Sequence, residues 1–276
     1  MRRNNEERLM KGHSPQKTEE VPMMGNPMDF VTPTEMVDLP SKGRYPEGHP
    51  LRGVESIEIK HMTAKDEDIL TNRGLLKKGL AIDRLIQNVI KDKSINHQSM
   101  YIGDRNAIIV YSRAFAYGED YKTKVTCPSC GETNGIKFNL RDHDVYHGND
   151  YEELGIKKTD DETFIVELPY SKISAEIRPL TGGDELSIVS EEKNIMDNII
   201  TKQMKRFVIG YNGYTDNKTV DYVSENMVAG DSKYLRNAFK IISPDIKMNY
   251  DFACNNCEHQ EVITVPFGTD FFWPNE

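Results

Sequence analysis

The residues with the clearest chemical potential are four cysteines that fall into two Cys-x-x-Cys pairs. One pair is Cys127 and Cys130, the other is Cys254 and Cys257, and the 276-residue chain has no further cysteine. A two-residue spacer at the tip of a β-hairpin lets both thiolates face one ion, as in a zinc knuckle. The pattern therefore predicts one structural Zn2+ held by all four cysteines, with reduced buried thiols as the plain alternative. Disulfides are not expected, because we find no secretory signal and a cytosol keeps thiols reduced.

A competing ligand set combines the first cysteine pair with His143 and His147, in the spacing of a nucleic-acid-binding zinc finger. Against this set, Asn134 stands where such a finger needs an aromatic residue. The helix that would read nucleic acid carries Asp142 and Asp144, which would repel phosphate. The finger would also leave the second cysteine pair without a role, so the four-cysteine site is favoured.

The overall composition argues for a soluble, intracellular protein without catalytic machinery. The chain is 37% hydrophobic and 29% charged, with a net charge of −9. Such an acidic balance does not favour nucleic acid as a partner, and no apolar stretch approaches the roughly 20 residues of a membrane span. We find no phosphate-binding glycine loop, nucleophile elbow or His-rich hydrolase motif. The sequence therefore predicts neither an enzyme nor a small-molecule substrate, since four thiolates leave a zinc ion no open position for water.

An internal duplication is visible in the sequence and sets the predicted fold class. Residues 56–70 and 174–188 share six of fifteen positions, and both read as a strand, a Thr and an acidic helix start. Gly103-Asp104 stands 24 residues before Cys127, and Gly230-Asp231 stands 24 residues before Cys254. We predict that each Asp caps a helix leading to a knuckle. The chain is thus expected to be α+β, with two related half-domains (strand, helices, Cys-x-x-Cys hairpin) joined through one shared zinc site.

The expected domain organisation has three parts. Residues 1–37, rich in proline, mixed charge and methionine, form an arm that is disordered when free. Residues 38–145 form the first half-domain, and residues 146–276 form the second half-domain with an aromatic C-terminus. We expect the protein's own core beside the second hairpin to cover these aromatic residues, with a pocket on a neighbouring subunit as the alternative. The predicted elements are a helical stripe over 75–90, a helix around 108–115, a hairpin of 163–168 with 173–177, a helix over 182–206 and a helix over 234–242.

Several segments carry a resemblance to a known family. They are Asp38-Leu39-Pro40-Ser41-Lys42-Gly43-Arg44-Tyr45-Pro46, HMTAKDEDIL (61–70), LLKKG (75–79), IGDRNAI (102–108) and TCPSCG (126–131). In these segments the chain resembles the baseplate hub proteins of T-even-type contractile-tailed phages. The resemblance covers residues 38 to 142, and beyond them it implies only a second zinc-knuckle half.

The resemblance implies a non-enzymatic protein of tail morphogenesis whose partners are other baseplate hub and tail proteins. It would work in the host cytoplasm during assembly, either as a lasting subunit of the virion tail baseplate or as a chaperone that leaves. The sequence leaves both roles open. The alternative from another class is a zinc-ribbon protein that binds nucleic acid as a regulator.

Overall fold

Helices and short antiparallel strands alternate along the chain, which confirms the α+β class. The computed structural model describes residues 32–192, 199–265 and 269–273. The strands are β1 (Thr34–Asp38), β2 (Ser56–Lys60), β3 (Asp120–Thr126), β4 (Thr133–Asn139), β5 (Asp144–Tyr146), β6 (Lys157–Lys158), β7 (Phe164–Glu167), β8 (Ser174–Ile177), β9 (Val208–Tyr211), β10 (Asp245–Lys247), β11 (Asn249–Ala253) and β12 (Gln260–Thr264). The helices are α1 (Ala64–Thr71), α2 (Arg73–Lys78), α3 (Ala81–Val89), α4 (Ile102–Tyr117), α5 (Gly182–Glu192), α6 (Ile199–Phe207), α7 (Asn217–Asn226) and α8 (Ala229–Ile242).

The strands form small antiparallel sheets. β6, β7, β8 and β9 lie in that order in one sheet, and the pairs β1–β2, β3–β4 and β11–β12 are two-stranded. β5 pairs with β10, which lies about a hundred residues further along the chain. No helix in the described residues is long and apolar enough to cross a membrane.

The first strand corrects the predicted end of the arm. β1 begins at Thr34, inside the segment 1–37 assigned to the arm, and pairs with β2 from Thr34↔Lys60 to Asp38↔Ser56. Val37 is fully buried, whereas Met36 is exposed, so the strand has one inward face. Glu35 and Asp38 interrupt its apolar pattern, which is why the sequence did not reveal it. Residues 1–31 lie outside the described residues.

Two predicted helices have different bounds in the structure. The stripe over 75–90 is divided into α2 and α3, because Gly79 adopts a left-handed φ of 71° that ends α2. The predicted helix over 182–206 corresponds to α5 and α6, and residues 193–198 between them lie outside the described residues. The hairpin of β7 and β8 and the last helix, α8, are found where they were predicted.

Among the described residues, buried side chains form two large cores. The first is built on β1, β2, α3 and α4, and it also takes in Ile246, Met248, Phe271 and Phe272 from the C-terminal region. The second lies among β7, β8, α6 and α8. Phe271 and Phe272 are therefore covered by the protein's own core, as expected, but Trp273 is exposed. Phe271 stacks on Tyr121 of the first hairpin instead of the second, at 5.1 Å between ring centroids.

The C-terminal packing also bears on the predicted half-domains. From Pro33 onward the chain forms one compact unit. Residues from beyond position 145 complete the core that residues 38–145 begin. The boundary between 145 and 146 stays a prediction.

The starts of α1 and α5 have the same capping geometry, as the sequence predicted. The backbone amide and hydroxyl of Thr63 both donate to Asp66 Oδ2 at 2.8 Å. The corresponding groups of Thr181 donate to Asp184 Oδ2, also at 2.8 Å. These carboxylates therefore stabilise helix N-termini, where the helix dipole favours negative charge.

The aspartates of the two Gly-Asp motifs make the same kind of contact. The prediction that they cap their helices was wrong, because both carboxylates accept hydrogen bonds from loops earlier in the chain. Asp104 and Asp231 are the third residues of α4 and α8, and both are completely buried. Asp104 accepts hydrogen bonds from the amide and hydroxyl of Ser41, at 2.9 and 2.6 Å. Asp231 accepts from the amides of Tyr170 and Ser171, both at 2.9 Å. Each carboxylate thus fixes the loop between two antiparallel strands onto a later helix.

Candidate metal centre

Each cysteine pair lies in the turn of a β-hairpin, as the spacing predicted. The first turn joins β3 to β4, which pair from Asp120↔Asn139 to Thr126↔Thr133. The second joins β11 to β12, which pair from Asn249↔Thr264 to Ala253↔Gln260. Alternating β-formers on both flanks explain why these segments become hairpins.

The two turns have the same pattern of backbone hydrogen bonds. The Cys127 amide donates to the Glu132 carbonyl at 2.8 Å, and the Cys254 amide donates to the His259 carbonyl at 2.8 Å. Gly131 and Glu258 return a bond to the carbonyl of the first cysteine, at 2.9 and 3.2 Å. Both residues have positive φ, 75° for Gly131 and 58° for Glu258. The same turn conformation therefore presents each pair of thiols.

The four sulfur atoms converge on one point. Cys127 Sγ lies 3.7 Å from Cys257 Sγ, and Cys130 Sγ lies 3.6 Å from Cys254 Sγ. All four lie within 4.8 Å of one another. Four sulfurs each about 2.3 Å from a tetrahedral ion would be about 3.8 Å apart. A disulfide would need about 2.05 Å, and all four cysteines are free. The four cysteines could therefore hold a metal ion, and their arrangement and soft donor atoms fit it.

Cys127 and Cys254 are buried, whereas Cys130 and Cys257 are exposed. Cys127 and Cys254 pack with Phe252 in a small apolar cluster beneath the sulfurs. The site thus has a buried inner side and an accessible outer side, which gives an ion an entry path.

Asn134 connects the two hairpins, a role that its position in the sequence did not predict. Its side chain is buried, with Nδ2 3.5 Å from Cys254 Sγ and Oδ1 accepting from the Asn255 amide at 2.9 Å. The Asn256 amide also donates to Cys254 Sγ, at 3.5 Å. Such donors orient a thiolate and stabilise its charge. In the sequence, the only sign of a special position was that Asn134 stands where a zinc finger would need an aromatic residue.

Hydrogen bonds and sulfur contacts shift the pKa values of the two thiols of the second hairpin in opposite directions. The Asn256 amide, opposed by burial and assisted by Asn134, lowers the pKa of Cys254 to about 6. The His259 amide acts in the same direction on Cys257, but contacts with the sulfurs of Cys130, Cys127 and Cys254 raise the pKa of Cys257 to about 11. Like charges this close oppose full ionisation, and a divalent cation would remove that opposition.

The two histidines of the competing zinc-finger set do not join the cysteines. They flank the extended strand β5, and neither belongs to the group of described residues placed to hold a metal ion. His143 Nδ1 is 2.8 Å from the Leu140 carbonyl, and His147 Nδ1 is 2.9 Å from the Pro40 carbonyl. Both histidines are half-buried. In the described ranges, the group of residues placed to hold a metal ion is the four cysteines.

The fold and the site together define an α+β protein with a four-cysteine candidate metal centre between two hairpins. The family described as T4 bacteriophage base plate protein matches residues 32–273. The chain belongs to this family of phage baseplate proteins, and the family implies other baseplate proteins as partners. No curated protein and no solved structure gives a match.

Proposed function

We propose that this chain is a non-enzymatic component of the baseplate hub, either a lasting subunit or a factor that acts during hub assembly. The observation that carries the proposal is the family match over residues 32–273, joined to a metal centre made only of thiols. Four protein ligands would leave a bound ion no free position for substrate. Small-molecule substrates and nucleic acid are not part of the proposed role, the latter because the net charge is −9.

The proposed metal is a structural Zn2+ that connects two hairpins far apart in the sequence. Structural zinc sites of this kind contribute their binding energy directly to folding. Cys127 and Cys130 come from one hairpin and Cys254 and Cys257 from the other, so neither hairpin can complete the coordination alone. Zinc would therefore hold the middle of the chain to its C-terminal region.

We further propose that the two halves of the chain arose by duplication. The shared capping boxes, the buried Asp104 and Asp231, and the two matching cysteine turns support this proposal. Each matched feature occurs in the same order in both halves, and each half contributes two of four metal ligands. The duplication explains why one site is assembled from two incomplete ones.

Quantitative mass spectrometry of intact phage particles tests the role in the hub. The copy number of this chain is measured relative to a known hub protein, in particles and in tail-assembly intermediates. A fixed small-integer ratio in particles identifies a structural subunit. Presence in intermediates and absence from particles identifies an assembly factor, and absence from both would overturn the proposal.

A further inference from the structure

A groove of about 610 Å³ lies on the second core, between α6 and α8. Phe207 and Phe239 form its apolar part, and their rings stack with centroids 4.3 Å apart. Leu180 and Ile188 add aliphatic surface to the same groove. A groove of this size with an aromatic floor can receive several apolar side chains.

Three cations of α8 border this groove. Lys233, Arg236 and Lys240 are spaced i, i+3 and i+7, which places them along one face of the helix. In the part of the chain that the structure describes, none of the three forms an ion pair, although Arg236 Nε donates to the Ser232 carbonyl. Lys205 of α6, by contrast, is paired with Asp221 and Glu225. An unpaired cationic stripe beside an apolar groove is unusual on a chain of net charge −9, and it favours an acidic partner with apolar side chains.

The chain itself contains a segment with this complementary chemistry. Residues 18–31, TEEVPMMGNPMDFV, carry three carboxylates and no Lys or Arg. Val21, Met23, Met24, Met28 and Phe30 supply the apolar side chains. Methionine adapts to irregular apolar surfaces, and Phe30 is an aromatic anchor of the kind that contributes strongly to interfaces.

We propose that the groove of Phe207, Phe239 and the α8 cations binds residues 18–31 of a second copy of this chain. The carboxylates of Glu19, Glu20 and Asp29 face the cations, and the apolar side chains enter the groove. Exchange of this segment makes the groove a contact between copies, which suits a chain that belongs to a family of assembly components. The inference does not depend on the metal or on a hub location.

Charge reversal tests the proposal on the full-length, metal-loaded chain. The first variant, K233E/R236E/K240E, reverses the groove, and the second, E19K/E20K/D29K, reverses the segment. We expect the wild-type chain to self-associate in sedimentation velocity, and each variant alone to associate at least about tenfold more weakly because like charges then meet. An equimolar mixture of the two variants is expected to regain association, since each groove then finds a segment of opposite charge.

A matched control makes the same charge change elsewhere. K78E/K157E/K218E reverses three exposed lysines outside the groove and is expected to leave association unchanged. Far-UV circular dichroism melts establish that every variant folds. A monomeric wild-type chain at about 100 μM would overturn the proposal, because a protein–protein contact of ordinary strength would be populated there. Association that survives either reversal, or a mixture that stays monomeric, would overturn it as well.

Discussion

Each of the four cysteines belongs to a Cys-x-x-Cys pair in one hairpin and contacts a cysteine sulfur of the other hairpin. Cys127 Sγ lies 3.7 Å from Cys257 Sγ, and Cys130 Sγ lies 3.6 Å from Cys254 Sγ. The spacing alone predicted these four residues, because a Cys-x-x-Cys pair at a hairpin tip has few other uses. Asn134 escaped prediction, since its position between the knuckles depends on how the two hairpins meet.

Replacing one cysteine in either hairpin should have the same effect on the whole chain. We expect Cys127→Ser and Cys254→Ser each to lower the free energy of unfolding of the zinc-loaded protein by more than about 4 kcal/mol, because each removes a ligand of one shared site. Thermal unfolding with and without a strong chelator measures this, and the chelator should abolish most of the difference from wild type. Ser129→Ala, in the same turn and exposed, is the control. Separate melting of the two halves in Cys254→Ser would contradict the shared site.

The spacing in the sequence identified the two buried aspartates but did not predict the contacts that they make. Asp104 and Asp231 were recognised by their equal distances from the cysteines, but their partners lie some 60 residues earlier in strand loops. Burial raises the pKa of Asp104 above its ordinary value, against the donors of Ser41 and Tyr45. Burial acts the same way on Asp231, but the amides of Tyr170 and Ser171 outweigh it and lower that pKa.

The lowered pKa of Asp231 gives a pH-dependent prediction. Asp231→Asn should destabilise the protein by about 1.5–3 kcal/mol at pH 7, because it removes the charge that two loop amides contact. The ionised carboxylate contributes fully above about pH 4, the unfolded-state pKa, and its contribution is lost as the pH falls through the lower folded-state value. Urea unfolding of both proteins from pH 7 to pH 3 should therefore show a shrinking difference. The exposed Asp221→Asn is the control, and a constant difference would refute the assignment.

At the scale of elements, local patterns predicted the hairpins and helix starts but not the pairings between distant segments. The β3–β4 and β7–β8 hairpins and the Thr63 and Thr181 caps depend on residues close in sequence, so their signals are local. The β5–β10 pair and the docking of α4 on β10 depend on tertiary contacts, which leave no periodic trace. Gly79 is a comparable case, because its left-handed φ divides a stripe that looked continuous.

Gly103 marks the closest approach between α4 and the segment leading into β10. A Cβ at this position would clash with the Pro244 carbonyl oxygen, a backbone atom that cannot turn away. We expect Gly103→Ala to lower the free energy of unfolding by about 3 kcal/mol through overpacking. Gly135→Ala, whose Cβ would meet nothing within 4 Å, is the matched control and should change stability by less than about 1 kcal/mol. Chemical denaturation measures both, and equal stability of the two variants would contradict the close approach.

In the whole molecule, the last described segment of the chain packs in the same core as the first. Phe271 and Phe272 complete the core that starts at Val37, so the last described segment and the first share one apolar cluster. The class α+β and the four-cysteine site could be predicted from the sequence, because composition, alternation and spacing carry them. The contribution of the C-terminal region to the first core could not, because aromatic residues at a chain end have no sequence signal that says which surface covers them.

If two hairpins complete one metal site, the number of metal ions bound per chain is fixed at one. Native mass spectrometry of the purified full-length chain, with elemental analysis to identify the metal, counts the ions bound per chain. We expect one zinc ion per chain, and its loss on substitution of either Cys127 or Cys254. No bound metal, or two ions per chain, would contradict a single site shared by the four cysteines.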